Sequence, residues 1–352
     1  MIVKQKFMLL FLTAACLLTG CSFQKTEDTI KEIGDESISS QIELEEAFLE
    51  NSEEYIAIGF SQVGSESDWR IASSESFREI FSAENGYYLM YEDGQQKQEN
   101  QIKAIRDFIL QEVDYIILDP VVETGWDAVF HEAKEAGIPI ILADRSVVLE
   151  DESLYTCWVG SDFTEEGRSA GEWLERELEK QGRTDEAIHI VTLQGTLGST
   201  AQIGRCEGFH EILEQNPNWI MLEECTADFV QAKGQEVMEY FLQTYEDIDV
   251  VISQNDNMTF GAMEALNNAG KTYGPDGNII IISFDAVEAA LEAMQEGCIN
   301  AEFECNPELA PLIDTIIQKL EKGEQVEKIQ YIEEVYFDTT MNLEEILKTR
   351  TY

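Results

Sequence analysis

From residue 55 onward the chain repeats one pattern, a short apolar run followed by a longer segment with helical spacing. The first five runs are YIAIGF (55–60), YYLMY (87–91), DYIIL (114–118), IPIILA (138–143) and LYTCWV (154–159). The others lie near 187–193, 219–224, 248–253, 279–284 and 299–305. Between the runs, apolar residues recur at helical intervals, as at Ile102, Ile105 and Ile109. Strands that alternate with helices predict parallel sheets, and about ten strands predict an α/β fold of two doubly wound lobes.

The first residues have the pattern of an export signal. Two lysines precede the apolar stretch 7–18, which is too short to span a membrane. The tetrad Leu-Thr-Gly-Cys at 18–21 is similar to a bacterial lipobox, in which the cysteine is lipidated. We therefore expect a signal peptide at 1–20, a lipidated Cys21 and an acidic tether at 21–54. The alternative is an ordinary signal peptide with an incidental cysteine.

Composition limits the partners of this protein. The 352 residues carry a net charge of -47, from 70 acidic against 23 basic residues. Such a surface repels phosphate backbones and anionic lipids, so we expect no nucleic-acid partner and no membrane contact beyond a lipid anchor. A hydrophobic content of 44% is enough for two domain cores.

Cysteine and histidine spacing predicts neither a metal site nor a cofactor. The cysteines after Cys21 are Cys157, Cys206, Cys225, Cys298 and Cys305. They form no C-x-x-C pair, and the three histidines share no motif. A disulfide is compatible with an exported protein, but its pairing stays open.

Charged and polar residues follow most of the buried strands. Asp144 and Arg145 come directly after the run 138–143. Asp93, Asp119, Asn255, Asp256 and Asp285 follow other predicted strands. A single acid in this position is usually a helix cap, but a guanidinium group has no acceptor and cannot play that role. Since ligands of open parallel sheets bind beyond the carboxyl ends of the strands, we predict a ligand-binding cleft there.

These side chains suit a polyhydroxylated ligand. A carboxylate accepts hydroxyl protons, and a planar guanidinium donates to two oxygens with fixed geometry. Phe60 and Trp69 flank the first predicted loop and are candidates to stack on the C–H face of a sugar. The alternative for both rings is core packing. The pattern therefore predicts a sugar site.

Longer motifs then resemble a known family. They are GFSQVGSESDWR (59–70), DGQQKQENQIKAIR (93–106), PVVETGWDAV (120–129), DRS (144–146), LQGTLGSTAQIGRCEGF (193–209), QNDNMTFGA (254–262) and FDAV (284–287). On these motifs the chain from about residue 55 resembles the periplasmic-binding-protein-type sugar-binding proteins of ABC transporters, within the ribose- and galactose-binding superfamily. The long motifs are similar to those of its galactofuranose-binding branch.

The resemblance implies two lobes that close over one monosaccharide. The contacts it implies are Trp69, Arg70, Asp93, Asp144 and Arg145 from one lobe and Thr196, Arg205, Asn255 and Asp285 from the other. The implied lobes are 55–158 with 300–331 and 159–299 with 332–352, joined by three crossovers.

The resemblance also implies an extracytoplasmic protein that delivers its sugar to an ABC permease. Signalling to a membrane sensor kinase or chemoreceptor is the alternative. An enzyme is not expected, because the sequence has no G-x-S-x-G, H-E-x-x-H or P-loop motif. A transcription regulator is disfavoured, because the chain has a lipobox and no basic DNA-binding segment.

Overall fold

A computed structural model describes residues 55–352 of the chain. The expected signal peptide 1–20, Cys21 and the tether 21–54 lie outside the described residues. None of the helices from residue 55 onward has the length and apolar character needed to cross a bilayer.

The described part contains strands and helices in regular alternation. The strands are Ile56–Gln62 (β1), Tyr87–Asp93 (β2), Tyr115–Leu118 (β3), Ile140–Ala143 (β4), Cys157–Gly160 (β5), Ile188–Gln194 (β6), Trp219–Thr226 (β7), Val250–Ser253 (β8), Ile280–Asp285 (β9), Ala301–Glu304 (β10), Ile329–Tyr331 (β11) and Tyr336–Asp338 (β12). The helices are Asp68–Ile80 (α1), Gln98–Leu110 (α2), Asp127–Ala136 (α3), Phe163–Gln181 (α4), Thr200–Leu213 (α5), Gln231–Thr244 (α6), Asp256–Asn268 (α7), Glu288–Gln295 (α8), Ala310–Glu321 (α9) and Leu343–Leu347 (α10).

The strands form two six-stranded sheets, which confirms the predicted pair of α/β lobes. The first has the order β11-β5-β4-β3-β1-β2 and the second β12-β10-β9-β8-β6-β7. Neighbouring strands pair in parallel, except that β12 runs antiparallel to β10. Each predicted apolar run overlaps one of these strands. The short β11 and β12 were missed, because neither has an apolar run: β11 is IQY and β12 is YFD.

Helices cover both faces of each sheet. In β1, Ile58 and Phe60 pack into a core with Phe77 of α1, and the intervening Gly59 faces Phe108 of α2. A side chain at Gly59 would overlap the Phe108 ring, so the α2 helix lies directly on the strand. In the second sheet, Val191 and Val251 belong to one core cluster, and Ile190 and Ile252 belong to the cluster on the other face. Strands buried on both faces explain why the predicted runs are continuously apolar.

The chain passes between the two sheets at three places in the described residues. These crossovers, named here by position, are 161–162, 305–309 and 332–335. The second shows that the predicted lobe boundary at residue 300 is too early. The expected lobe 300–331 would include β10, but β10 pairs in parallel with β9, with Ala301 opposite Ile282. The return to the first lobe follows Glu304, and α9 then buries Ile313, Ile316 and Ile317 in the core of the first lobe.

Candidate ligand-binding site

Four charged residues of the first lobe meet beyond the ends of β1, β3 and β4. Arg70, in the first turn of α1, donates from Nη1 to Asp144 Oδ2 at 3.0 Å and also to Asp119. Its Nε donates to Glu66 Oε1 at 3.1 Å. Ser67 positions the helix, because its hydroxyl caps α1 by accepting from the Arg70 amide at 3.1 Å. The result is a buried network of one guanidinium and three carboxylates.

The backbone after β4 turns sharply at Asp144, which has a φ of 57°. This left-handed conformation is costly for a side chain other than glycine, and such residues are concentrated at functional sites. It brings Arg145 to the cleft, where Nη1 donates to the Val121 carbonyl at 3.1 Å. Asp285 at the end of β9 has a φ of 101°. The two lobes therefore use the same device at equivalent strand ends.

The second lobe contributes a matching charged group around Arg205 of α5. Its Nε donates to Glu166 Oε2 at 2.6 Å, and Nη2 lies 3.5 Å from Asp285 Oδ1. A further bond joins Nη1 to the Gln254 carbonyl. Asn255 caps α7 by accepting from the Met258 amide at 2.9 Å. Arg205 thus connects three separate segments of its lobe at the edge of the cleft.

Aromatic rings complete the walls. The Arg145 guanidinium carbon lies 5.1 Å from the ring centre of Phe229, and that of Arg205 lies 5.5 Å from Phe163. Both rings line the cleft and offer apolar faces beside hydrogen-bonding groups. Trp69 also lines it and donates from Nε1 to the Cys305 carbonyl at 2.5 Å. Flat apolar faces next to carboxylates and guanidinium groups are what a sugar ring requires.

Together these residues enclose a cavity with an empty volume of about 280 Å³. It is lined by Glu66, Ser67, Trp69, Arg70, Asp144, Arg145, Phe163, Ala201, Arg205, Phe229, Asn255, Asp285 and Cys305.

Seven of the ten residues predicted from the sequence line this cavity. They are Trp69, Arg70, Asp144, Arg145, Arg205, Asn255 and Asp285. The structure gives them a shared location; their contacts with a ligand stay a prediction.

Three predicted residues do not line the cavity. Phe60 is fully buried and stacks on Phe77 with ring centres 4.1 Å apart, so it is a core residue. Asp93 ends the edge strand β2, away from the central strands, and accepts from Ser65 Oγ at 2.8 Å. Thr196 lies in the turn before α5, where its carbonyl accepts from the Ser199 amide at 3.1 Å. An aromatic or polar residue near a strand end therefore reaches the cleft only where the strand is central and the chain turns inward.

The sequence missed several residues of the cavity wall. They are Glu66, Ser67, Phe163, Ala201, Phe229 and Cys305. Glu66 and Ser67 directly precede a predicted helix, so a capping signal was available for them. Phe229 and Cys305 lie on loops whose paths depend on the whole fold, and no local pattern marks them.

Burial dominates the electrostatics of the site. It raises the pKa of the Asp285 carboxyl well above its usual value, against the opposing effect of Arg205. Burial likewise raises the pKa of Glu166 to about 7, again opposed by Arg205. The pKa of Arg145 is lowered by burial and by the nearby Arg70. Carboxyls that titrate nearer neutrality can donate as well as accept, which suits hydroxyl groups.

Two buried polar atoms on the wall of the cavity have no hydrogen-bond partner among the described residues. They are Oε2 of Glu66 and Nε of Arg145. Oδ1 of Asp119 and Oε1 of Glu166 are also buried and have no hydrogen-bond partner among the described residues. A buried polar atom left unpaired costs about 1–3 kcal/mol, more if it is charged. Glu66 and Arg145, which line the cavity, therefore each have one polar atom that a ligand with hydroxyl groups can pair with.

Comparison with known proteins identifies the family. The model of the periplasmic binding protein domain matches residues 58–303. The chain belongs to the periplasmic binding protein family. Its relatives include the galactofuranose-binding protein YtfQ of Escherichia coli K12, which is 40% identical over 278 residues, 78% of this chain and 85% of that protein.

Solved structures of the family give the same result. A Mycobacterium smegmatis protein in complex with β-D-fucofuranose is 41% identical, has a TM-score of 0.79, and covers 84% of this chain and 94% of its own. The binding component of an arabinose ABC transporter from Shewanella sp. ANA-3, bound to α- and β-L-arabinofuranose, is also 41% identical. Its TM-score is 0.76, and the match covers 84% of this chain and 95% of its own.

In this periplasmic binding protein the lobes touch across the cleft, so the described conformation is closed. Asp68 of α1 and Asn257 of α7 exchange two hydrogen bonds, of 3.0 and 3.1 Å. The Ser146 amide donates to Thr200 Oγ1 at 3.1 Å. Further bonds connect the Glu123 amide to the Gly198 carbonyl at 3.0 Å and Gln96 to the Asp228 carbonyl at 3.3 Å. These contacts hold the two lobes together across the cleft.

Proposed function

We propose that this protein binds one monosaccharide, as a furanose, and delivers it to an ABC importer. The observation that carries the proposal is the buried cavity between the lobes, with the unpaired Glu66 Oε2 and Arg145 Nε on its wall. Sugar hydroxyls both donate and accept, so one ligand satisfies both atoms. We propose binding and not catalysis, because each carboxylate on the wall is held by an arginine, an arrangement that orients a ligand.

The similar proteins support the furanose form and the import role. The Escherichia coli relative is named for galactofuranose, and the two solved structures contain fucofuranose and arabinofuranose. The Shewanella protein is a component of an ABC transporter, which favours import over the alternative of sensing. We infer that the permease of the importer recognises the closed form, since only the ligand-bound state has a reason to close.

A thermal-shift and calorimetry panel of D-galactose, L-arabinose, D-ribose and D-glucose tests the ligand class. A ligand that binds the native state raises the melting temperature. We expect galactose and arabinose to bind, galactose with an apparent affinity reduced by its small furanose fraction in solution. A crystal of the complex should then contain the furanose ring. Tight binding of ribose or glucose, with none of galactose or arabinose, would remove the furanose assignment and keep the sugar-binding class.

We further propose that the protein is a lipoprotein anchored through Cys21 on the outer side of the cell membrane. Support comes from the sequence Leu-Thr-Gly-Cys at 18–21 after an apolar stretch. The Cys21→Ala variant should move from the membrane fraction to the soluble fraction, because alanine has no thiol to carry the lipid. Cys225→Ser is the matched control and should stay with the membrane. Membrane association that survives Cys21→Ala contradicts the anchor.

A further inference from the structure

A buried cluster lies where the three crossovers meet. Glu334, on the third crossover, accepts at Oε1 from Ser161 Oγ of the first at 2.5 Å and from the Asn306 amide of the second at 2.8 Å. The sulfur of Cys305 lies 3.3 Å from the same Ser161 hydroxyl. Glu166, four residues into α4, approaches from the second lobe. The cluster therefore joins all the segments on which the hinge depends.

Three side chains of this cluster can ligate a metal ion. A sulfur from Cys305 and one carboxylate oxygen each from Glu166 and Glu334 lie within 4.8 Å of one another. Their positions in the sequence, far apart and on separate segments, have none of the spacings that mark metal sites. That is why the sequence predicted no metal.

One oxygen in the cluster is unpaired. Glu166 is only 7% exposed, and its Oε2 accepts from Arg205 at 2.6 Å. Its Oε1 is buried and has no hydrogen-bond partner within residues 55–352. A buried carboxylate oxygen of this kind costs free energy unless a cation or a donor satisfies it. One oxygen of Glu166 therefore binds Arg205 of the sugar site, and the other is left for the cluster.

A separate pocket leads to the cluster from the solvent, on the hinge side of the molecule. It has an empty volume of about 620 Å³. The acids that line it are Asp162, Glu165, Glu166, Glu304 and Glu334, and its lining includes no lysine or arginine. Carboxylates concentrated in one concavity raise the local concentration of cations. The pocket thus supplies an entry path that does not pass through the sugar cavity.

We propose that Glu166, Cys305 and Glu334 form a hinge site for a divalent transition-metal cation of the zinc class. A thiolate with carboxylates suits Zn²⁺, whereas Ca²⁺ and Mg²⁺ take oxygen ligands only. Zn–S and Zn–O bonds of about 2.3 and 2.0–2.2 Å hold ligand atoms about 3.5 Å apart, so the side chains must draw together by about an ångström. Three protein ligands leave a fourth position for water.

The ion would connect α4 to the second and third crossovers and so stiffen the hinge. A metal ion binds the thiolate and carboxylate forms of these side chains, so the test is made at mildly alkaline pH. The site adjoins the sugar cavity, because Cys305 lines that cavity and Glu166 holds Arg205.

The test uses the full chain, freed of metal with a chelator and titrated with Zn²⁺ or Co²⁺ at pH 8. We expect one equivalent to bind, with a thiolate-to-Co²⁺ charge-transfer band in the near ultraviolet. Cys305→Ser should remove the band and weaken Co²⁺ binding at least tenfold. Glu334→Gln should weaken it similarly but keep the band.

Two matched variants serve as controls. Cys225 is another cysteine beside an acid, with its sulfur 3.3 Å from Glu223 Oε1, and Cys225→Ser should change nothing. Glu165 lines the same pocket outside the cluster, and Glu165→Gln should also bind normally. No binding by the wild-type protein, or Co²⁺ binding without the thiolate band, overturns the proposal. The wild-type spectrum tests the proposal even if a variant fails to fold. Galactose binding is measured separately, so that a failure of the metal site and a failure of the sugar site can be told apart.

Discussion

Arg145 is 2% exposed, yet only part of its guanidinium is engaged by the protein. Nη1 donates to the Val121 carbonyl, Nε is unpaired, and Asp144 Oδ2 lies 3.9 Å from Nε. A purely structural arginine buried this deeply would be expected to use its donors within the fold. The unused donor on the cavity wall is therefore the strongest single-residue indication of a ligand contact.

We expect Arg145→Ala to weaken binding of the sugar at least thirtyfold. Loss of one partner from a buried charged hydrogen bond costs about 2–5 kcal/mol of binding. Isothermal titration calorimetry measures the affinity, and a thermal melt checks that the fold is intact. The control Arg106→Ala removes an exposed arginine paired with Glu132 and should bind normally. An affinity loss below tenfold would assign the Asp144–Arg145 pair a structural role.

A residue of the site could be predicted from the sequence only where its neighbours in the sequence mark it. Asp144 and Arg145 were found because charge directly after a doubly buried strand is conspicuous. Phe60 was misassigned because an aromatic ring at a strand end has the same sequence signal in the core as in a cleft. Phe163, the first residue of α4, and Phe229, on a loop, were missed because only the tertiary fold brings them to the cavity.

At the scale of elements, length and apolar content decided what the sequence predicted. The ten longer strands were identified from their apolar runs, and the α/β alternation followed from them. The three-residue strands β11 and β12 carry too few buried positions for any periodicity. The lobe that takes β10 was also not predictable, because nothing in a short strand specifies which of the two sheets it joins. Its pairing with β9 is decided by tertiary contacts.

A pair of buried acids links β10 to the start of α7. Glu302 is fully buried beside Asp256, whose oxygens accept from Ser283 Oγ at 2.6 Å and the Val287 amide at 2.8 Å. Burial raises the pKa of Glu302 well above its usual value and that of Asp256 to about 6. The folded protein therefore holds protons that the unfolded chain releases near pH 4.

This pair should make the fold less stable as pH rises from about 4 to 6. A carboxyl with a raised folded pKa stabilises the fold below its unfolded pKa, and the contribution is lost as pH rises toward the folded value. A one-unit difference in pKa is worth about 1.4 kcal/mol, which denaturant unfolding can resolve. Glu302→Gln has no proton to lose and should show a shallower decline than the wild type. The exposed Glu135→Gln should leave the decline unchanged; a slope in Glu302→Gln equal to that of the wild type contradicts the assignment.

For the whole molecule, affinity depends on closure as well as on contacts with the ligand. Two hydrogen bonds between Asp68 and Asn257 join the two lobes, and neither residue lines the cavity. Contacts made only in the closed state add to apparent affinity, because they shift the equilibrium between open and closed forms. Ligand affinity is therefore adjustable from outside the sugar site.

Asn257→Ala should lower the apparent affinity for the sugar by about tenfold. It removes two interlobe hydrogen bonds, each worth roughly 0.5–1.5 kcal/mol net. Calorimetry gives the affinity, and small-angle scattering with and without sugar reports the fraction of closed molecules. Asn268→Ala, at the exposed end of the same helix, is the control. Unchanged affinity in Asn257→Ala would show that this contact does not hold the lobes together.

The late return of the chain to the first lobe also has a consequence for biosynthesis. Ile313, Ile316 and Ile317 of α9 belong to the core of that lobe, and β11 at 329–331 forms its edge. A nascent chain that has reached residue 300 therefore has neither lobe complete, so folding of a finished N-terminal domain during translation is prevented. An export channel that transports unfolded chains would therefore receive a protein whose chain connectivity keeps it from folding early.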